Sequence, residues 1–515
     1  MKLRMNNLRM LGLFLAVLLV LSGCTDLQET VQDGVEFETA SSEYAVSDEN
    51  PADLLVTAYT SMRGPYQDQA RLFCLDEHST DAVVGPTRGG DWDDNGVWRQ
   101  LHTQSYGPDH GFNRDTYNDI YAAINKANFV IGSKNVTAQQ AAEARFLRAL
   151  HYYHAIDLWG SAPYREIGSD PNDIPPVFSR AEGTAWIISE LEAILTALPA
   201  GPDPTVANQN AAHWLLAKIY LNKGVFTAAN PAGPYTFDPA DMAKVISHVD
   251  AITGRSMAAD YWDNFQPDNT QRSSELIFVS ENIGGVASGN VRSRWFMGQH
   301  YNQTPSGWNG FTTLAEYYDK FDPNDERILK WFPPTTENNG YNLGFHIGQQ
   351  YGPGGPGVGP ALKDRPGAPL IFTKELTLIT SGTTLETAGI RGVKYVPDMV
   401  SGDNANNDFV VARYGEALLM KAEALARTGN VAGAQTIVQS FKNEKTTSIA
   451  SVDDLLDVRA RELWWEGWRR NDRVRFGKFL APVQLKEYES DPKYILFPIP
   501  AAALANPNIT QNPGY

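Results

Sequence analysis

Two apolar stripes on either side of a short turn constrain this chain more than any other feature. Tyr414, Leu418, Ala422 and Leu425 recur at helical spacing, as do Ala434, Ile437, Val438 and Phe441, with Thr428-Gly429-Asn430 between them. A stripe of that period marks a helix that must bury one face. Glycine can end a helix in the left-handed conformation, and so short a connection folds the second helix back on the first. The same period appears at Ala212, Leu215, Leu216, Ile219 and Tyr220, with Gly224 as the expected C-cap and residues 239–252 as the expected partner helix. Residues 116–131 and 138–158 supply a further pair. Ser451-Val452-Asp453-Asp454 predicts a capping-box start to a helix reaching about Trp465. Hydrophobic residues make up 42% of the 515, enough for a sizeable core.

Residues 281–405 have a different texture. Glycine and proline are dense there, most of all across 351–360, and cannot sit in helix interiors. Short β-like runs occur at 275–280 and 376–380. The helix pair at 414–441 resembles a tetratricopeptide unit, and 208–223 the first helix of another, but the spacing between units is irregular. The expected fold is therefore mainly α: an irregular tetratricopeptide-like helix-pair scaffold with a loop-rich lobe carrying small β-elements. Loops held on such a scaffold are where binding surfaces are usually built.

The N-terminus carries a basic segment, an apolar run over 11–21 and then Leu21-Ser22-Gly23-Cys24. The run is too short for a comfortable membrane span and reads as a secretory signal. Its end resembles the lipobox of bacterial lipoproteins. That resemblance implies cleavage before Cys24, lipidation of its thiol, and a membrane anchor of several acyl chains. The expected organisation is a signal peptide at 1–23, a lipidated acidic tether at 24–50 and one body over 51–515, its two parts meeting near 270. The formal net charge of −17 argues against nucleic acid as a partner. With Cys24 lipidated, Cys74 is expected to be a free thiol.

Signatures of catalysis are weak. Glu462 and Glu466 are expected i, i+4 on one helix, and paired carboxylates are the tool of glycosidases. Arg459, Arg461, Arg469 and Arg470 surround them in sequence, which predicts an ion-pair network instead, because nearby cations keep carboxylates ionised. His151 and His154 lie within a helical segment and read as packing rather than metal ligands. Asp398, Asp403, Asn404, Asn406 and Asp408 offer oxygen ligands for calcium, but their spacing misses the EF-hand pattern. No metal or other cofactor is expected.

Two aromatic loops carry more weight. Arg88, Asp91, Trp92, Asn95 and Trp98 lie in a polar, glycine-containing stretch. Arg292, Trp295, Tyr301, Trp308 and Asn309 form a second group of the same chemistry. A pyranose can stack its C–H face on an indole while Asn, Asp and Arg bond its hydroxyls, so all ten are expected to contribute to a glycan-binding face. The alternative for each tryptophan is that it plugs a loop onto the scaffold.

Three segments then resemble the SusD/RagB family of outer-membrane lipoproteins: 145–163, 408–424 leading on to 461–475, and the ending Phe497-Pro498-Ile499-Pro500 with 506–515. The resemblance implies a lipid-anchored protein facing the cell exterior. Such a protein captures a glycan or other complex nutrient for a SusC-like TonB-dependent transporter, without catalysis. An extracellular helical glycoside hydrolase and a tetratricopeptide-like scaffold without a glycan ligand are the two other classes this sequence allows.

Overall fold

The long helices begin where a polar side chain can accept their first free N–H groups. The computed structural model describes residues 43–332 and 341–515. Asn50 caps α1 (Pro51–Thr60) by accepting from the backbone of Ala52. After the short α2 (Val97–His102) comes α3 (Gly111–Ile131), then α4 (Ala138–Trp159), which opens with a reciprocal capping box between Thr137 and Gln140. Ser179 and Glu182 do the same for α5 (Arg180–Ile194). Asn208 caps α6 (Gln209–Phe226), and Asp238 with Pro239 starts α7 (Pro239–Asp250). Each such cap contributes about 1 kcal/mol.

Consecutive helices pack as pairs, α3 on α4 and α6 on α7, and α8 (Tyr414–Arg427) folds onto α9 (Val431–Ser440). Gly429 makes the last turn at φ +87°, a left-handed value that side chains disfavour. The structure is the helix-rich scaffold with small sheets that the sequence predicts.

Two helix ends differ from expectation. Gly224 is not a C-cap: α6 runs on to Phe226, and a Cβ at Gly224 would lie 2.1 Å from the carbonyl oxygen of Thr236. The glycine is there to admit the backbone leading into α7. The helix expected to reach Trp465 stops earlier, as α10 (Asp454–Glu462), and Trp465 turns the chain at φ 58° before α11 (Arg469–Arg475). At its start the cap runs in reverse, the Asp454 carboxylate accepting from the backbone of Ala450 and Ser451 at 2.8 Å each.

The loop-rich lobe is stitched in by small sheets. β1 (Leu276–Ser280) pairs antiparallel with β5 (Phe409–Arg413), buried on both faces. β2 (Leu329–Phe332), β3 (Tyr341–His346) and β4 (Arg391–Val393) form a three-stranded sheet with β3 in the middle. Of the run expected at 376–380, only Ile379 and Thr380 form a strand, pairing in parallel with Thr87 and Arg88. That pairing fastens the start of the first aromatic loop to the lobe.

Glu43–Tyr515 is one compact unit. Signal peptide, Cys24 and most of the tether lie outside the described residues. The last tether residues are fastened down: the Tyr44 hydroxyl donates to Asn125 Oδ1 at 2.6 Å, and Ser47 bridges to Ser133. Cys74 is a buried free thiol whose pKa burial pushes well up.

Candidate ligand-binding face

The core takes most of the aromatic supply. Trp159, Trp214, Trp262, Trp464 and Trp465 are each under 2% exposed. Among the described residues Trp308, at 49%, is the tryptophan most open to solvent. It sits where the two predicted aromatic loops meet.

The first loop is bent tightly. Gly89, Trp92, Asp94, Asn95 and Gly96 all have positive φ, which keeps the segment from joining α2. The Trp92 indole lies over Gly310, where a Cβ would come within 2.3 Å of the ring, so only glycine allows this approach. Its Nε1–H donates to the Trp308 carbonyl at 3.1 Å, and the two rings sit 6.3 Å apart at 56°. Phe296 supports Trp308 from behind at 5.1 Å, and the Arg292 guanidinium covers Phe296 while pairing with Asp403. The Tyr301 hydroxyl points to Asp91 Oδ2 at 3.5 Å. Asp91, Trp92, Arg292, Tyr301 and Trp308 are thus drawn together, with Asn95 exposed in the same loop.

Four expected contact residues do other work. Trp98 is 3% exposed, donates to Asp94 Oδ2 at 2.8 Å, and packs among His78, Phe112 and Phe311. Trp295 is buried too. Neither presents a ring face to a ligand. Arg88 is buried, and its Nε, Nη1 and Nη2 groups donate to the carbonyls of Gly310, Leu385 and Ala388 at 3.0–3.3 Å. Burial pushes its pKa down to about 9. Asn309 is buried with its Oδ1 accepting from Arg391 at 2.9 and 3.1 Å. These four hold the loops beneath the face, because buried polar groups must find partners.

Sequence reasoning missed Arg365, His300 and Glu386. The Arg365 guanidinium stacks on Tyr301 at 4.0 Å and pairs with Glu386, which also receives His300 Nε2 at 2.8 Å. Nothing in the glycine- and proline-rich run before Arg365 signals this placement, since it depends on how distant loops meet.

The Glu462 and Glu466 pair proves structural, by a different route from the one predicted. They do not share a helix, because α10 ends at Glu462. Both converge on Arg413, whose Nη1 donates to Glu462 Oε1 at 2.8 Å and whose Nε donates to Glu466 Oε2 at 2.7 Å. Glu275 completes the set around Arg413. Arg327 takes the other oxygen of Glu462, and Lys394 binds Glu466. Arg459, Arg461, Arg469 and Arg470 instead pair with Asp472, Glu444, Asp81 and Asp157. Burial alone would raise the Glu466 pKa, but Arg413 and Lys394 outweigh it and hold the carboxyl below its ordinary value.

The 398–408 loop uses its oxygens internally. Asp398 accepts from the backbone of Val400, Ser401 and Asn406, and Asp408 from that of Asn282. Among the described residues no group of three or more His, Cys, Asp or Glu side chains is arranged to hold a metal. His151 and His154 are buried, and His154 stacks on Trp468.

A helical-pair scaffold with an aromatic face on its loops is an architecture suited to binding. The chain belongs to the SusD family, which it matches over residues 254–515. Residues 55–221 match a second family described as "Starch-binding associating with outer membrane". The starch-binding protein SusD of Bacteroides thetaiotaomicron is 27% identical over 473 residues, 82% of each chain. A SusD-like protein, P2, of Formosa agariphila is 22% identical over 98% of this chain and 99% of its own. Among solved structures, a laminarin-binding SusD-like protein superposes with a TM-score of 0.66 at 19% identity, covering 90% of this chain and 99% of that one. Surface glycan-binding protein A from B. thetaiotaomicron, in complex with laminarihexaose, superposes at 0.64, with 18% identity and the same coverage.

Proposed function

We propose that this protein is a lipid-anchored outer-membrane protein that binds an oligosaccharide or polysaccharide and passes it to a SusC-like TonB-dependent transporter. The observation that carries the binding reading is Trp308, half exposed beside Trp92, with Asp91 of the Trp92 loop meeting the Tyr301 hydroxyl and Arg365 lying over the Tyr301 ring. Leaving a large apolar ring in water costs free energy that a stacked sugar recovers. The relatives named for starch and laminarin binding support the same class of ligand. The Leu21-Ser-Gly-Cys24 motif supports lipidation at Cys24, and the kinship with SusD supports an outward-facing position.

The reading is binding without hydrolysis. A glycosidase needs one carboxyl kept protonated near an ionised partner, whereas Glu462 and Glu466 are buried against cations. Glycan binding is tested by titrating the full chain, in detergent, against a polysaccharide panel. Heat on mixing that Trp308→Ala abolishes supports the reading, and its absence across the panel refutes it. Co-purification of a large β-barrel with the affinity-tagged chain from the native membrane tests the partner.

A further inference from the structure

The polar groups around Tyr301 carry an inference about which glycans this face accepts, and it rests on the glycan reading above. We propose that Arg365, Tyr301 and Asp91 form a charge-compensated clamp for the hydroxyls of an uncharged sugar, and that the face discriminates against acidic glycans.

The Arg365 guanidinium lies over the Tyr301 ring at 4.0 Å, and Asp91 sits at the hydroxyl end of the same ring. Arg365 is held from one side. Its backbone N–H donates to Glu386 Oε2 at 2.9 Å, and its Nε–H donates to Glu386 Oε1. Glu386 is itself fixed by His300. The Asn302 backbone N–H donates to His300 Nδ1 at 3.0 Å, so the ring proton resides on Nε2, which donates to Glu386 at 2.8 Å. The Nη1 and Nη2 groups make no hydrogen bond to a described residue, and the Arg365 side chain is 50% exposed.

The clamp therefore offers a fixed donor edge over the face of the Tyr301 ring and a carboxylate acceptor at its hydroxyl end. A sugar hydroxyl both donates and accepts, so neighbouring hydroxyls can satisfy Asp91 and Arg365 together through charge-assisted bonds. A carboxylate or sulfate ester only accepts. It would gain from Arg365, already neutralised by Glu386, and would meet the carboxylates of Asp91 and Asp94 in one loop. The other nearby cations are engaged: Arg99 with Asp93 at 2.8 Å, and Arg292 with Asp403. Lys363 is exposed in the Arg365 segment, but a single exposed ion pair contributes little. The chain's formal net charge of −17 repels a polyanion further at low salt.

The test is calorimetric titration of the full chain in detergent with four oligosaccharides of matched length, at low and high NaCl. Two are uncharged, a β-glucan and an α-glucan. Two are acidic, a homogalacturonan and a sulfated galactan. The better uncharged probe is expected to bind at least about tenfold tighter than either acidic one, and to change less than about twofold with salt. Asp91→Asn, with an unchanged melting temperature, is expected to narrow that gap by about threefold or more. An acidic probe that binds equally well or better, and weakens as salt rises, overturns this inference alone. So does an Asp91→Asn variant whose preference is unchanged. If none of the four binds, the glycan reading falls and this inference with it.

Discussion

Replacing Arg413 with alanine should be among the most damaging single changes in this protein, and the damage should depend on pH in a defined direction. Arg413 is 1% exposed and touches three carboxylates, those of Glu275, Glu462 and Glu466. Arg327 and Lys394 remain to balance part of that charge. Breaking a buried ion pair from one side costs about 3–5 kcal/mol, because the remaining charge is left desolvated. Against a typical stability of about 5–15 kcal/mol, this is a large fraction. The sign with pH follows from linkage. In the wild type, Glu466 is held below the ordinary carboxylate value, so its contribution is complete above that value and lost only as pH falls through the lowered one. Without Arg413, burial is expected to dominate at Glu466 and lift its folded-state value above the unfolded one. The variant then loses stability as pH rises and regains it as pH falls. Scanning calorimetry of both chains at one scan rate, at pH 5.5 and 7.5, gives the comparison. The melting-temperature gap should be wide at pH 7.5 and narrower at pH 5.5. A variant that melts with the wild type, or a gap that widens at the lower pH, would refute the reasoning.

Other outcomes follow from the same geometry. Glu462→Gln should lower the melting temperature, and neither it nor the wild type should release reducing ends from a bound glycan; release above buffer background that this variant loses would point to catalysis. Trp98→Ala should destabilise by about 3–5 kcal/mol in thermal melts, as expected for a large core ring; a melting temperature equal to the wild type would contradict its packing role. Glu77 is buried with its pKa pushed up to about 8, so it takes up a proton on folding between the ordinary carboxylate value and pH 8 and lowers stability as pH rises through that window. Glu77→Gln should therefore flatten the fall in melting temperature between pH 5 and 8, and an unaltered profile would count against it. Cys24→Ala should abolish incorporation of labelled lipid, and continued labelling would rule out that anchor.

The helix pairs were legible because their signals are local. A 3.6-residue stripe, a capping residue and a turn glycine lie within one stretch of chain, and 414–441 folds as its pattern predicts. The errors fall where a distant segment decides. Gly224 reads as a helix stop, but it admits the backbone at Thr236. The arginines nearest Glu462 in sequence point to an ion network, while the true partners, Arg413, Arg327 and Lys394, come from other elements. The candidate face shows the same divide. Polar loops rich in tryptophan and glycine announced a surface, and sequence alone could not separate Trp308, left in solvent, from Trp98 and Trp295, drawn into the core. Arg365 gave no signal, since its role depends on Tyr301, distant in sequence.

The most direct test of the central claim is the affinity of the full chain and of Trp308→Ala for a neutral glucan oligosaccharide, measured by titration calorimetry beside thermal melts. Trp308 is half exposed and rests on Trp92 and Phe296 outside the core, so its removal should lower the melting temperature far less than Trp98→Ala does. As the main stacking platform it should cost about 2 kcal/mol or more of binding energy, well over tenfold in affinity. Binding within twofold of the wild type by a fully folded Trp308→Ala protein would contradict the account.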